Sequence, residues 1–246
     1  MARCRSAAVK LGGSLITVKD RPYTIRWEAL REASRILAWY ASKGGGLVVV
    51  HGGGSFGHAE AERLQALHGG SLPGSAAPRI QAAMLRLAVE VASALVDAGV
   101  GATLHTTHTL CGCGGCEYAP ISRDYSSGLV PVLYGDALAC GGSTLIVSGD
   151  RLVVEAAESL GVECVVYVID KPGILDSNGK PLAVVRAGEE PPLLGGGAAP
   201  DVTGGLRAKL EWAYRAALRG FEVYITGLDG LLKVLSGGTA PTRIEA

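Results

Sequence analysis

The sequence has no excess of either charge. Its 23 acidic side chains balance 23 basic ones, so no overall field draws the chain toward nucleic acid or an anionic membrane surface. It also lacks any apolar run approaching the roughly 18 residues that cross a bilayer. Its start, MARCRSAAVKLGGSL, shows neither the apolar stretch nor the cleavage site of a secretory signal, and a cytoplasmic location is the expectation. Cysteine is sparse: six residues are too few to frame a disulfide-built secreted miniature at this length. There is no internal repeat, no coiled coil and no long low-complexity tail. What remains is a chain that is 48% hydrophobic over 246 residues, enough to bury a substantial core, and one α/β domain spanning residues 1–246 is expected.

Glycine, by contrast, is abundant, and its 36 residues fall in runs between apolar segments, where backbone must turn sharply or approach a ligand. Short runs rich in β-branched residues recur at Ala7 to Leu11, Leu47 to Val50, Ala102 to His105, Val130 to Tyr134, Leu145 to Val147, Cys164 to Ile169 and Glu222 to Thr226. They read as strands buried on both faces. Between them lie helical patterns. The clearest is Arg79 to Ala98, where Ile80, Met84, Leu87, Val91 and Leu95 repeat at three- and four-residue steps before Gly99. A second runs from about Gly205 to Arg219, with Leu206, Leu210, Ala213, Ala217 and Leu218 on one face, Thr203 or Asp201 to cap it and Gly220 to end it. Trp27 to Ser42 and Arg151 to Leu160 also read as helices. Strands alternating with crossover helices predict a mainly parallel sheet covered on both sides, a three-layer αβα sandwich whose ligands bind beyond the carboxyl ends of the strands. The stretch Glu189 to Pro200, EEPPLLGGGAAP, reads as a surface loop.

Several of those strand ends carry chemistry. Lys10 is followed by Leu11, Gly12, Gly13 and Ser14, so a cation and a bare backbone meet where a phosphate would sit; the spacing is not that of a Walker A loop. His51-Gly52-Gly53-Gly54-Ser55-Phe56-Gly57-His58 follows the next strand and opens a helix. Three glycines at such a junction present a row of N–H donors to an anion, reinforced by the helix dipole. His51 fits a structural role, tying the turn through a backbone hydrogen bond, whereas His58 is placed to hold an anion and to titrate near neutral pH. Lys209 stands four residues past the second glycine of Asp201-Val202-Thr203-Gly204-Gly205. A lysine near a helix start opposes the macrodipole, a cost that a bound anion offsets. Asp150, after Ser148-Gly149, and Asp170, after the strand from Cys164, bring carboxylates to the same edge.

Taken in order, KLGGS, HGGGSFGH, VPVLYGD, SGD, the Asp170 strand end and DVTGGLxxK cover nearly the whole chain and resemble the amino acid kinase family. The second histidine of HGGGSFGH makes the resemblance closest to its isopentenyl phosphate kinases, as do Ile16-Thr17-Val18-Lys19 and Pro22-Tyr23-Thr24-Ile25-Arg26-Trp27. The resemblance implies ATP-dependent phosphorylation of isopentenyl phosphate to isopentenyl diphosphate, with magnesium, in a protein that commonly forms homodimers. It implies that Lys10, Lys19 and Lys209 contact the ATP phosphates and the moving group, and that His58 holds the substrate phosphate. Gly53 and Gly149 would lie against the acceptor, while Gly12, Gly13, Ser14, Gly54 and Gly205 would lie against ATP. Asp170 would stand near the nucleotide and Asp150 would order the lysines, with the nucleotide side beginning at about residue 145. No residue is assigned as a metal ligand, and neither nucleic acid nor a membrane is an expected partner. Ile80, Met84 and Leu87 are candidates for the wall of an apolar pocket for the prenyl tail, or for plain core.

Two features leave alternatives open. Cys111, Cys113 and Cys116 depart from the family pattern and fit a zinc site completed by His105 or His108, a disulfide, or an incidental loop. A fosfomycin-type kinase shares the loops and the histidine, and a non-catalytic nucleotide-binding sensor shares the fold.

Overall fold

The computed structural model describes residues 4–188 and 205–246. Its centre is an eight-stranded sheet built from the β-branched runs: β1 (Ser6–Leu11), β2 (Gly46–His51), β3 (Ala102–Leu104), β6 (Val130–Tyr134), β9 (Cys164–Val168), β10 (Val184–Arg186), β11 (Glu222–Thr226) and β12 (Thr242–Glu245). The order is β10-β12-β11-β9-β1-β2-β6-β3. Every pairing is parallel except β11 with β12. Two small hairpins stand apart, β4 (Cys111–Gly112) with β5 (Gly115–Cys116) and β7 (Asp136–Cys140) with β8 (Ser143–Val147).

Nine helices are described: α1 (Gly13–Ile16), α2 (Trp27–Ser42), α3 (Gly54–Leu67), α4 (Ala77–Asp97), α5 (Thr107–Leu110), α6 (Ala119–Ser126), α7 (Gly149–Leu160), α8 (Gly205–Leu218) and α9 (Leu228–Leu235). Alternate residues of each central strand face opposite layers. Val9, Val49, Val132 and Val166 pack against α2, α4 and α9, whereas Ala8, Val48, Leu133 and Val165 pack against α6, α7 and α8. The expected αβα sandwich with a mainly parallel sheet is therefore the observed fold. No helix of the described residues is long and apolar enough to cross a membrane.

The helix periodicities hold closely. In α4, Ile80, Met84, Leu87, Val91 and Leu95 are all buried, and Gly99 follows with φ +93°. In α8, Leu210, Ala213 and Ala217 face inward, but Leu218 is exposed and Ala216 takes its expected place, because position 218 lies about 100° around the helix from 217. The Leu145 to Val147 run is also corrected. It is the second arm of the β7–β8 hairpin, off the main sheet, with Leu145 and Ile146 exposed. The helix after it starts at Gly149 rather than Arg151. The candidate loop Glu189 to Pro200 and the caps Asp201 and Thr203 lie outside the described residues.

All six cysteines are paired. The Cys-x-Cys-x-x-Cys motif splits: Cys111 joins Cys116 across the β4–β5 hairpin, and Cys113 joins Cys140 of β7. These cysteines are therefore divided between two bonds rather than gathered about a zinc ion. Cys4 and Cys164 join the entries of β1 and β9 across 160 residues of chain. A cross-link closing so long a loop restricts the unfolded chain strongly, typically by about 2–4 kcal/mol. The double variant Cys4→Ala, Cys164→Ala is accordingly expected to melt roughly 5–15 °C lower in calorimetry; an unchanged melting temperature would mean that this bond does not form in solution.

Candidate active site

In the sheet, β9, β1, β2 and β6 are consecutive neighbours, so their carboxyl ends form one rim. Parallel strands leave the chain at the same edge, and here the exits are Gly12, Gly52, Gly135 and Ile169-Asp170. The Gly12 N–H donates to the Val168 carbonyl (2.8 Å) and the Gly52 N–H to the Leu11 carbonyl (2.9 Å). Gly13 lies backbone to backbone against Gly54, so that a Cβ on Gly13 would run into the Gly54 amide nitrogen; Gly54 itself has φ +46°. The two glycine loops therefore touch, and their freedom from side chains is a packing requirement as well as an opening for an anion.

At this rim a single carboxylate oxygen is shared by two lysines. Lys10 Nζ lies 2.9 Å and Lys209 Nζ 2.8 Å from Asp150 Oδ1, with all three side chains nearly buried. Lys10 comes from β1, where residue alternation turns it toward α7. Asp150 stands in the first turn of α7, whose start is capped by Ser148 accepting from the Asp150 N–H (3.1 Å); a carboxylate there is favoured by the helix dipole. Lys209 projects from the first turns of α8 and sits 5.3 Å above the Tyr167 ring, whose hydroxyl donates to the Asp150 carbonyl (3.2 Å). Burial alone would raise the Asp150 carboxyl, but the two ammonium groups draw it down to about 2. Burial and the neighbouring Lys10 charge lower Lys209 to about 8, against the pull of Asp150. Two cations against one anion leave a net positive charge in a poorly solvated place, and an anionic ligand is its natural complement.

Gly12, Gly13, Gly53, Gly54 and Gly149 line the same rim, with Gly149 close to the Lys10 stem and the His51 carbonyl. Ser14 donates to Asp170 (3.2 Å), which ties α1 to the end of β9. His58 lies on the second turn of α3 and is exposed. Partial loss of solvent and the Lys10 charge hold its imidazole below its ordinary value, so near neutral pH it is mostly an uncharged donor. His51 is fully buried, with Nδ1 3.2 Å from the Gly52 carbonyl and its ring stacked on Tyr134 (5.5 Å); burial lowers it to about 4. This is the structural role expected of it. Gly205 opens α8, and among the described residues no atom lies within 4 Å of where its Cβ would stand.

Lys19 comes from a third element. It is exposed, on the segment between the Thr17↔Ile25 bridge residues. One residue that sequence reasoning passed over, Tyr167, belongs to the site, and Met84, a candidate for the apolar wall, borders it. Tyr167 supports both Asp150 and Lys209; within the strand CVVYV its alternation marked only an inward-facing residue. Met84, from the middle of α4, presses its sulfur on Gly53 and Gly57. With Ile80, Leu64, Tyr134 and Ala137 it forms a small apolar cluster separate from the sheet core, to which Leu87 belongs. The rim thus joins a cationic, glycine-lined anion site to an adjoining apolar one.

Comparison with known proteins agrees with this arrangement. The sequence profile described as "Amino acid kinase family" matches residues 6–227. An isopentenyl phosphate kinase of Haloferax volcanii is 35% identical, covering 96% of this chain and 97% of its own length. Its counterpart from Thermoplasma acidophilum is 32% identical over 82% of this chain and 83% of its own. Among solved structures, an isopentenyl phosphate kinase substrate complex superposes with a TM-score of 0.77 at 25% identity, covering 97% of this chain and 99% of the other. The product complex of the Thermoplasma acidophilum enzyme gives 0.76 at 26%, with the same coverage.

Proposed function

We infer that this chain, which belongs to the amino acid kinase family, transfers the γ-phosphoryl group of ATP to isopentenyl phosphate, giving isopentenyl diphosphate and ADP. The observation that carries the reading is the sharing of Asp150 by Lys10 and Lys209 beneath two glycine loops, a buried excess of positive charge matched to two facing anions. In the transfer a terminal oxygen of the acceptor phosphate bonds to the γ-phosphorus as the bond to the β-bridging oxygen breaks, and ADP leaves. The acceptor oxygen is already ionised at neutral pH, so no strong base is needed; positioning and charge neutralisation supply the acceleration. Lys10 lies between the loops and faces the moving group. Lys209 and the loop N–H groups hold the nucleotide phosphates, and Asp150 keeps the two ammonium groups aimed at one place. The acceptor belongs to the N-terminal part with Gly53 and His58, and the nucleotide to the part from about residue 145.

Magnesium fits this site as a companion of the nucleotide. No group of three or more His, Cys, Asp or Glu suited to a metal occurs among the described residues, and Mg²⁺ bound through substrate phosphates keeps much of its water. Asp170 is the rim carboxylate left outside the lysine pair. The ion supplies charge neutralisation on the phosphate oxygens. The site of action is the cytoplasm, where ATP is available.

His58 donates its ring N–H to the acceptor phosphate. A hydrogen bond to a charged group is worth about 1.5–3 kcal/mol, so His58→Ala is expected to lower kcat/KM for isopentenyl phosphate by roughly 10- to 150-fold with its melting temperature unchanged. Near-normal turnover would remove His58 from the acceptor site. The prenyl tail then lies along the apolar cluster of Ile80 and Met84.

The protein acts as a homodimer. On α4 the outward residues Pro78, Ala82, Leu85, Val89 and Val96 form an apolar stripe, with Val89 48% and Val96 54% exposed, suited to the same helix of a second copy. Sedimentation is expected to give twice the chain mass for the native protein and the single mass for Val89→Glu; a monomeric native protein would contradict this.

A further inference from the structure

Tyr23 has φ +54° and is the non-glycine residue found in the left-handed region among the described residues. For a bulky side chain that conformation is costly and persists only where the surroundings enforce it. The enforcing contacts all run to the first two turns of α3. The Tyr23 N–H donates to the Ser55 carbonyl (3.0 Å), its ring meets Phe56 edge-on at 5.6 Å, and its hydroxyl donates to Glu60 Oε2 (2.5 Å). Glu60 is 5% exposed. Arg63 grips both of its oxygens, at 3.0 and 2.5 Å, and this hydrogen bonding holds the carboxyl below its usual range, so it remains a charged acceptor.

The rest of the segment is fastened to the same place. Thr17 Oγ1 donates to the Gly13 carbonyl (2.7 Å) and accepts from the Ser55 N–H (2.9 Å), while the Thr24 N–H reaches Ser55 Oγ (3.4 Å). The Val18 N–H donates to the Thr24 carbonyl (2.9 Å), closing residues 18–24 into a small loop. Lys19 is on that loop. At its base, Thr17 and Ser55 belong to the same contacts that join the two glycine loops; on its returning arm, next to Thr24, Tyr23 is held by Glu60, two residues beyond His58.

We propose that Tyr23 is a positioning residue, a latch whose left-handed backbone and hydrogen bond to buried Glu60 hold the Lys19 loop against the start of α3. This rests on the reading of Lys19 as a contact to the ATP phosphates. Through the latch, the loop that carries a transferring cation and the helix that holds the acceptor phosphate move as one body. Releasing the Tyr23 arm loosens the loop from the start of α3, and Lys19 spends less time at the phosphates.

The test is a double-mutant cycle of Tyr23→Phe with Lys19→Ala, read by steady-state kinetics with isopentenyl phosphate and magnesium ATP. Tyr23→Phe removes one hydroxyl and keeps the ring contact. It is expected to lower kcat about tenfold, with KM for isopentenyl phosphate unchanged. In the Lys19→Ala background it is expected to change kcat less than about twofold, since the residue it positions is gone. Tyr23→Gly, which adopts the left-handed backbone freely, is expected to lose kcat in the same way while melting no lower. An equal effect of Tyr23→Phe in both backgrounds, or normal kcat in Tyr23→Gly, overturns the latch. If Lys19→Ala itself turns over normally, the role of Lys19 falls, and the latch with it; a large Lys19→Ala loss with additive Tyr23→Phe removes the latch alone.

Discussion

Lys10→Met is expected to lower kcat by about 10²- to 10³-fold, the scale seen when one preorganised donor to a developing charge is removed, and to do so without lowering the melting temperature. The two halves of that expectation have one origin. In the free protein Lys10 and Lys209 compete for Asp150 Oδ1 at 2.9 and 2.8 Å. A methionine of similar length fills the Lys10 channel and leaves Asp150 and Lys209 as a one-to-one pair, which relieves a like-charge repulsion between buried groups. What is lost is the cation nearest both glycine loops, which is needed when charge spreads over the moving phosphoryl group. ADP release and a melting curve on one preparation check this. A variant that melts far lower, or one that turns over within a few-fold of the native protein, would show that Lys10 holds up the fold rather than the reaction.

Asp150→Ala is expected to act in the opposite sense on stability. Removing the carboxylate strands two ammonium groups in a nearly dry place, and breaking a buried ion pair from one side costs about 3–5 kcal/mol. Magnesium ATP is expected to return much of this, because its phosphates replace the missing charge, so the nucleotide should raise the melting temperature more in the variant than in the native chain. Acid gives an independent check of sign. The Asp150 carboxyl is drawn from its ordinary 3.8 down to about 2, so its contribution is complete above about pH 4 and fades as pH falls toward 2; Asp150→Ala should lack that part of the acid unfolding. Equal stability of the two chains at pH 7 would contradict the account of a shared counterion.

The parts of this site that could be read in advance are those whose chemistry opposes their local surroundings. A lysine ending an apolar strand, a glycine triplet where a helix begins and a lysine near a helix start each cost something in isolation, and together they mark an anion site. Asp150 was legible as a residue but not as a position: LIV before it has the composition of a buried strand, yet β8 is an exposed hairpin arm and the aspartate belongs to the first turn of α7. The signal against a buried strand lay in Gly141-Gly142, both with positive φ, a pair that favours a two-residue hairpin turn. The strands VVR and TRIE, β10 and β12, are too short to show a period at all. Cysteine pairing is set by which strand ends meet in space, so Cys4 with Cys164, 160 residues apart, left no local trace. Tyr23 is the instructive case, because its residue type gives no hint of a left-handed backbone; only the Glu60 partner on α3 does.

The most direct test of the whole account is ADP release from magnesium ATP with isopentenyl phosphate, dimethylallyl phosphate, fosfomycin and acetylglutamate supplied separately as acceptors. Turnover with isopentenyl phosphate far above that with fosfomycin or acetylglutamate, with the matching diphosphate seen by phosphorus NMR, is the predicted result. Turnover confined to fosfomycin or acetylglutamate, or nucleotide binding with no ADP released on any acceptor, would contradict it.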